Sequence, residues 1–255
     1  MTHTPTQKWK YKFLRRAHDT ELWASYQPHI PAWLYLPAFA GVCLIIGAVL
    51  GVPDGQPASR ILLAIFGLLL SLPIVSVAFF VRRQHERRAQ VRAEMLNAIS
   101  WRGDEKVLDV GCGSGMLLNG AAARLNSGQA IGIDIWAKHG GGGNLDLLYK
   151  HAQSENVQKR IQFREMDARK MTFADDSFDV VLSSWALHHI CHNREDFEKT
   201  TQEILRVLKP NGTIVIRDIA HMIDAMVMRM EKARLQIVVT EKPDDQKMVV
   251  GKKSG

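Results

Sequence analysis

The sequence predicts an α/β domain built on a largely parallel sheet, preceded by a pair of apolar helices. From about residue 89 onward, short apolar runs alternate with helical stretches, which is the pattern of βαβ units. A glycine-rich segment follows the first of these runs directly. Two long runs without a charged residue lie in the first third of the chain.

Five apolar runs are predicted to be strands, because parallel strands that are covered on both faces are nearly continuously apolar. They cover residues 106–110, 130–135, 161–166, 178–183 and 213–217. Helices are predicted at 89–100, 116–125 and 222–235. Two further runs, 236–240 and 247–251, flank a Lys-Pro-Asp-Asp segment and predict a hairpin.

The two uncharged runs are long enough to cross a membrane as helices. They cover residues 33–52 and 61–81. At about 1.5 Å per residue, each run would reach ~30 Å, the thickness of the hydrocarbon core of a bilayer. A cleaved signal peptide is not expected, because the first run is too long and begins too far from the start. A buried hairpin of a soluble protein and a monotopic hairpin that does not span are the open alternatives.

Basic residues flank both apolar runs, whereas the short loop between the runs carries only Arg60. The flanking residues are Lys8, Lys10, Lys12, Arg15 and Arg16 before the first run, and Arg82, Arg83, Arg87, Arg88 and Arg92 after the second. This distribution predicts that both termini and the α/β domain are cytoplasmic. With a net charge of +7, the chain is expected to bind an anionic surface, and this distribution favours a lipid bilayer over nucleic acid.

The predicted organisation therefore has four parts. Residues 1–32 are a basic and aromatic tail, and residues 33–81 are a transmembrane hairpin. Residues 82–100 are a basic connector helix, and residues 101–255 are the α/β domain. Three scattered cysteines argue against a disulfide framework and suit a reducing compartment.

The glycine-rich segment 109–115 (DVGCGSG) predicts a ligand site at the end of the first strand. Glycines let the backbone turn sharply there and let a ligand approach the main chain closely. Asp134 ends the next strand, where a carboxylate accepts both hydroxyls of a ribose. Met116 occupies the sixth position of the dinucleotide fingerprint, which requires glycine or alanine, and no P-loop Lys-Ser/Thr pair follows. The pattern therefore favours an adenosine cofactor without a pyrophosphate.

Five motifs in order resemble those of class I S-adenosylmethionine-dependent methyltransferases. They are VLDVGCGSG at 107–115, GIDIW at 132–136, MDAR at 166–169, FDVVLSSWALHHI at 178–190 and LRVLKPNGTIVIRD at 205–218. Locally the chain is most similar to the small-molecule branch that includes quinone C-methyltransferases and arsenite methyltransferases. The resemblance covers roughly residues 89–255. It implies a Rossmann-like, doubly wound, mostly parallel seven-stranded sheet with an antiparallel terminal hairpin.

The resemblance implies S-adenosyl-L-methionine as the cofactor and assigns the glycine loop to its methionine end. Gly111, Gly113 and Gly115 would form the loop under this part of the cofactor. Asp109 would help to position the amino group, through a water molecule.

The remaining cofactor contacts are implied at the ends of the next strands. Asp134 would bind the ribose, and Ile135 would pack on the adenine. Asp167 would accept a hydrogen bond from the adenine amino group, with the Ala168 backbone beside it. Ser183 would line the methionine end.

His188 and His189 are the candidate catalytic residues, because they follow the fourth strand near the expected methyl group. Methyl transfer from a sulfonium needs mainly alignment, and it needs a base only if the acceptor must lose a proton. His188 is expected to face the site. The alternative is structural, with one histidine at the start of the following helix and the other shaping the pocket. Asp218 and His221, after the fifth strand, could line the acceptor side.

No metal is expected, since the histidines and Cys191 match no standard zinc spacing. The glycine run 140–143 is predicted to be a mobile flap or a loose loop. No insertion is large enough for an extensive substrate lid, so the membrane-proximal helices are expected to wall the acceptor site. The predicted acceptor is therefore lipid-like, such as a quinone, a polyprenyl compound or a phospholipid headgroup.

Two other functions stay open at this point. The chain could methylate a protein or a soluble metabolite, with the hairpin serving only as an anchor. It could also be a membrane protein that binds S-adenosylmethionine without catalysis, because a binding site alone does not establish turnover.

Overall fold

The computed structural model describes residues 36–50, 57–135, 145–242 and 245–255. The predicted basic tail at 1–32 and the glycine run at 140–143 lie outside these residues. The chain divides into two compact units, Met1–Glu86 and Arg87–Gly255.

The first unit contains helix α1 (Leu36–Leu50) and the beginning of helix α2 (Pro57–Asn97). The two helices approach closely at two buried glycines. A Cβ atom on Gly67 would lie only 2.5 Å from the carbonyl oxygen of Gly41 and 2.9 Å from a side-chain carbon of Ile45. Helices come this close only where side chains are absent, so Gly67 is fixed by this packing.

The helix boundaries differ from the predicted spans. Over the described residues, no helix combines the length with the apolar composition that crossing a membrane requires. Helix α1 has 15 described residues within the predicted span 33–52. Helix α2 begins at Pro57, inside the predicted loop, and continues without a break through the predicted connector to Asn97. The predicted span at 61–81 and most of the predicted connector at 82–100 are therefore parts of one continuous helix.

The second unit is built on a seven-stranded sheet. Its strands are β1 (Lys106–Val110), β2 (Gln129–Asp134), β3 (Ile161–Glu165), β4 (Phe178–Ser184), β5 (Leu208–Ile219), β6 (Gln236–Lys242) and β7 (Gln246–Lys252). They lie in the order β3-β2-β1-β4-β5-β7-β6. Strands β1 to β5 pair in parallel, and β7 is antiparallel to both β5 and β6. The predicted mostly parallel sheet with an antiparallel terminal hairpin is confirmed.

Helices and apolar side chains cover both faces of this sheet. The helices are α3 (Met116–Ala122), α4 (Leu145–Ser154), α5 (Leu187–Ile190), α6 (Arg194–Val207) and α7 (Ala220–Lys232). Leu108 and Val110 of β1 lie in one buried cluster, whereas Val107 lies in a second cluster. Since neighbouring residues of a strand point to opposite faces, these clusters are the cores on the two sides of the sheet.

The last turns of α2 are part of this core. Met95 and Leu96 are buried in the same cluster as Val107. Arg92 is also buried, and its guanidinium donates to the Glu155 carboxylate at 3.1 Å. The compact unit therefore begins at Arg87, upstream of the predicted domain start at residue 101.

The order of the strands determines where a ligand site can form. The chain runs outward from β1 to β2 and β3, and then returns to place β4 on the other side of β1. In an open α/β sheet, ligands bind at such a switch point, outside the carboxyl ends of the strands. The segments after β1, β2, β4 and β5 therefore meet at one edge.

Candidate active site

The loop after β1 depends on three glycines with positive φ. These angles are 71° at Gly111, 51° at Gly113 and 87° at Gly115. This backbone region disfavours any residue with a Cβ atom. The Gly115 N–H donates to the Cys112 carbonyl at 2.9 Å, and Gly115 is the residue that precedes α3. The chain therefore passes from strand to helix within a short turn.

Gly111 and Gly113 have different surroundings. A Cβ atom on Gly111 would lie 2.3 Å from the Cβ atom of Ala186, in the turn after β4. A Cβ atom on Gly113 would meet nothing within 4 Å. Gly111 is therefore required by packing within the protein. Gly113 faces open space, where a ligand can approach the main chain, which fits the implied cofactor.

Asp134 is tied to the glycine loop. It is the last residue of β2, and its Oδ2 atom accepts from the Gly113 N–H at 2.9 Å. The N–H groups of Gly111 and Cys112 donate to the Ile133 carbonyl at 2.9 and 3.1 Å. Ile135 follows with 44% of its surface exposed. These positions fit a ribose-binding carboxylate and an apolar wall for adenine, and both roles stay predictions.

Asp109 is a buried carboxyl group in β1, next to the loop. Burial raises its pKa to about 7, and the nearby Asp134 charge also raises the pKa. A hydrogen bond with the backbone of Leu118, in the first turn of α3, acts in the opposite direction. The side chain therefore links β1 to α3, and its predicted role in positioning the cofactor amino group stays a prediction.

Asp167, Ala168 and Ser183 lie in different surroundings. The Arg169 side chain donates to Asp167 through Nη2 at 2.8 Å, and this hydrogen bonding lowers the pKa of Asp167. Ala168 is buried in the core. Ser183 is fully buried, and its hydroxyl donates to the Val110 carbonyl at 2.9 Å. In this structure the Ser183 hydroxyl therefore links β4 to β1, and its predicted place at the methionine end stays a prediction.

Arg169 was not singled out from the sequence. Its Nη1 atom donates to the Asp196 carboxylate at 3.0 Å, so one guanidinium bridges Asp167 and Asp196. The bridge connects the loop after β3 with the first turn of α6. The only signal in the sequence is the arginine two residues after Asp167 in the MDAR motif.

His188 pairs with a buried carboxylate. Its Nδ1 atom lies 2.6 Å from Oδ1 of Asp218, which is 0% exposed. Asp218 also accepts from the backbone N–H groups of Leu187 at 2.9 Å and Ile219 at 2.8 Å. A carboxylate that accepts from Nδ1–H selects the tautomer in which Nε2 carries the lone pair. The sequence placed Asp218 near the acceptor, and the structure shows it as the partner of His188.

The structure separates the two histidines that the sequence proposed together. His189 is exposed, and its ring centre lies 4.0 Å from that of His188. His221, at the start of α7, is also exposed. His188 is therefore the member of the pair that a buried group orients.

The two glycines give the first test. Gly111→Ala is expected to destabilise the fold more than Gly113→Ala, because positive φ costs about 1–3 kcal/mol at either site but only Gly111 would clash with Ala186. Gly113→Ala is expected to weaken S-adenosyl-L-methionine binding at least about tenfold. Thermal unfolding and calorimetric titration measure the two effects. If both variants lost the same stability, or if Gly113→Ala kept full cofactor affinity, the proposed role of Gly113 in cofactor binding would be contradicted.

The raised pKa of Asp109 gives a test by pH. Between about pH 4 and 7 the unfolded chain loses this proton before the folded chain does, so the free energy of unfolding falls as pH rises. Asp109→Asn is expected to remove this decline in denaturant titrations across that range. Glu203→Gln is the matched control, because hydrogen bonding to Arg206 lowers the pKa of Glu203, so this carboxylate titrates below most of the tested range and its replacement should leave the decline in place. If the free energy of unfolding of Asp109→Asn fell with pH as steeply as that of the wild type, Asp109 would not be the source of the decline.

Residues 108–216 match the family described as "Methyltransferase domain". A demethylmenaquinone methyltransferase of Lactobacillus johnsonii is 32% identical over 49% of this chain and 48% of that protein. An erythromycin 3''-O-methyltransferase of Saccharopolyspora erythraea is 37% identical over 46% of this chain and 35% of that protein. The chain thus spans about half or less of the length of these relatives.

A solved structure shows the same fold. The geranyl diphosphate C-methyltransferase of Streptomyces coelicolor, in complex with S-adenosyl-L-homocysteine, superimposes with a TM-score of 0.54 at 12% identity. The match covers 68% of this chain and 78% of that one. Residues 108–216 thus match a methyltransferase domain, and the relatives over this region are named methyltransferases. The structural match shows the fold, and S-adenosyl-L-methionine is the cofactor that the comparisons support.

Proposed function

We propose that this protein methylates a small, membrane-associated acceptor and that His188 removes a proton from it. The single observation that carries the proposal is the contact of His188 with buried Asp218, 2.6 Å apart. The turn that bears His188 also packs on the cofactor loop, because Ala186 fills the space beside Gly111. A base oriented next to a methyl donor suits an acceptor hydroxyl that becomes nucleophilic on losing its proton.

The residues divide this work between them. When bound, S-adenosyl-L-methionine supplies a methyl group that is already activated by the sulfonium. The glycine loop and Asp134 hold the cofactor in one orientation, so that alignment provides much of the rate enhancement. Asp218 keeps the proton on Nδ1 of His188, which leaves Nε2 to accept the proton of the acceptor. Asp218 is thus a positioning residue, and it also stabilises the imidazolium that forms.

A lipid-like acceptor is favoured over a protein or a soluble metabolite. The name of one relative gives demethylmenaquinone as its substrate, and quinones partition into membranes. The name of another gives erythromycin, so the relatives do not share one acceptor. The apolar surface of α2 supports the membrane-associated class for this chain.

We also propose that α1 and α2 hold the protein at a lipid bilayer. Several large apolar side chains of α2 each expose more than half of their surface, among them Leu62, Phe66, Leu69, Phe79 and Phe80. A helix in water buries one apolar stripe and exposes polar residues, so an apolar helix exposed to this degree suits lipid. Exposed arginines follow at positions 82, 83, 87 and 88, and these suit anionic headgroups. Two spans at 33–52 and 61–81, with both termini cytoplasmic, are the arrangement proposed.

The acceptor class is tested with labelled cofactor. Purified full-length protein in lipid is incubated with methyl-labelled S-adenosyl-L-methionine and with either a lipid extract or a water-soluble extract. Label is expected in the lipid extract, and the labelled product then identifies the acceptor. Transfer only to water-soluble compounds would overturn the lipid-like acceptor, and no transfer to any extract would favour a protein that binds the cofactor without turnover.

The role of His188 is tested in the same assay. His188→Ala is expected to lower kcat by about 10²- to 10⁴-fold, the usual contribution of a general base. Asp218→Asn is expected to lower kcat less, and His189→Ala is the matched control with nearly full activity. The Kd of S-adenosyl-L-homocysteine should stay the same in all three variants. Full kcat in His188→Ala would exclude it as the base, and a lost cofactor affinity would assign it to structure.

Bilayer association is tested with one charge at two exposed apolar positions. Leu69→Asp on α2 is expected to reduce flotation with phospholipid vesicles, because a buried aspartate opposes insertion by about 2.5–3.5 kcal/mol. Met228→Asp is the control, since Met228 is 69% exposed on α7 of the other unit. Equal flotation of both variants and the wild type would argue against α2 as the lipid-binding element.

A further inference from the structure

Trp185 is an exposed aromatic residue at the edge of the candidate active site. It follows the last residue of β4 directly, and 45% of its surface is exposed. Its backbone has a φ of 56°, in the left-handed region. The function proposed above does not use this side chain.

The backbone of Trp185 is unusual for its residue type. The other described non-glycine residues with positive φ are Asn156, Asp176, Asn211, Arg234 and Asp245. Asparagine and aspartate adopt this region readily, whereas a bulky aromatic residue is an outlier there. The Trp185 N–H donates to the Arg217 carbonyl at 2.8 Å, which holds the strained residue between the ends of β4 and β5. Strain of this kind is found mainly at functional sites, where the side chain must be presented in one direction.

The indole lies beside the proposed base. The ring centres of Trp185 and His188 are 4.8 Å apart, with an interplanar angle of 71°, so one ring meets the edge of the other. The next residue, Ala186, packs on Gly111 of the cofactor loop. An edge-to-face contact occupies at most one face of the indole, and the exposed fraction shows that much of the ring is accessible.

We propose that Trp185 forms a wall of the acceptor site and stacks on a planar aromatic ring that bears a hydroxyl group. This inference rests on the proposed function and selects one acceptor chemistry within it. A flat ring gains offset-stacking energy on an indole, whereas a polyprenyl chain or a phosphate headgroup gains no such stacking. A hydroxyl substituent lies at the periphery of a stacked ring, and the imidazole of His188 lies beside the indole. A hydroxylated naphthalene has this shape and chemistry.

The test uses the full chain with saturating S-adenosyl-L-homocysteine, and the probe is 1,4-dihydroxynaphthalene kept reduced with dithionite. Equilibrium dialysis measures the Kd of the probe for wild type, W185F and W185G. W185F keeps a ring and is expected to bind within about threefold of wild type, whereas W185G should bind at least about tenfold more weakly. Glycine is chosen because it adopts positive φ without strain, so W185G is expected to fold.

A matched control separates the loss of the indole from the removal of backbone strain at a positive φ. Arg234→Gly also replaces a residue at positive φ, 60°, but it lies beyond the end of α7. Its Kd for the probe should equal that of wild type, and all variants should bind S-adenosyl-L-homocysteine equally. The proposal is overturned if W185G binds the probe as wild type does, or if wild type does not bind it. It is also overturned if W185G loses vesicle flotation and keeps probe binding, because Trp185 would then be an interfacial anchor.

Failure of this inference is distinguishable from failure of the proposed function. If wild type binds the probe in a Trp185-dependent manner but transfers no methyl group to any extract, the acceptor wall stands and the proposed activity fails. If methyl transfer proceeds and W185G keeps the wild-type KM for the acceptor, the activity stands and the wall fails.

Discussion

The close approach of two backbone segments at the ends of β1 and β4 is the constraint on which the site depends. The strands pair in parallel, with Val107 opposite Val180 and Asp109 opposite Leu182. The segments that follow the two strands therefore lie side by side. The backbone at Gly111 is so close to Ala186 that a side chain on residue 111 would clash with it. The loop shaped for the cofactor and the turn that bears Trp185 and His188 become one site because no side chain separates them.

The carboxylates near this contact differ in burial and in hydrogen bonding, and these differences set the pKa values of Asp109 and Asp167. Asp218 accepts from two backbone N–H groups and from His188, so its lone pairs are satisfied by fixed donors. Burial raises the pKa of Asp109 to about 7, with one backbone hydrogen bond opposing it. The half-buried ion pair between Asp167 and Arg169 has the opposite effect, because hydrogen bonding to Arg169 lowers the pKa of that carboxylate. Desolvation and hydrogen bonding are thus balanced differently within one sheet edge.

The two compact units differ in how far their apolar side chains are exposed. In the second unit, Leu108, Val110 and their neighbours are withdrawn from water by helices on both faces of the sheet. In the first unit, Phe66 and Leu69 of α2 remain exposed. The proposed association of α2 with a bilayer would withdraw these apolar side chains from water.

The sequence by itself determined the strands and the cofactor loop, because both are encoded locally. Strand β1 was predicted at 106–110 and lies there, since a continuous apolar run ending at glycines has few alternatives. The predicted strand 213–217 is longer in the structure, Leu208–Ile219, because pairing with β4 and β7 extends it. Helix α2 continues to Asn97, past the end of the second apolar run at residue 81. Backbone hydrogen bonding within a helix does not depend on whether the side chains are apolar or charged.

Only the tertiary structure decided which side chains act together. Asp218 and His188 are 30 residues apart, and no local periodicity shows that they meet. The same holds for the bridge from Asp167 through Arg169 to Asp196, and for the strained backbone that presents Trp185. These contacts arise where separate strands end at one edge of the sheet, so they depend on the order of the strands and not on the residues next to each in the chain.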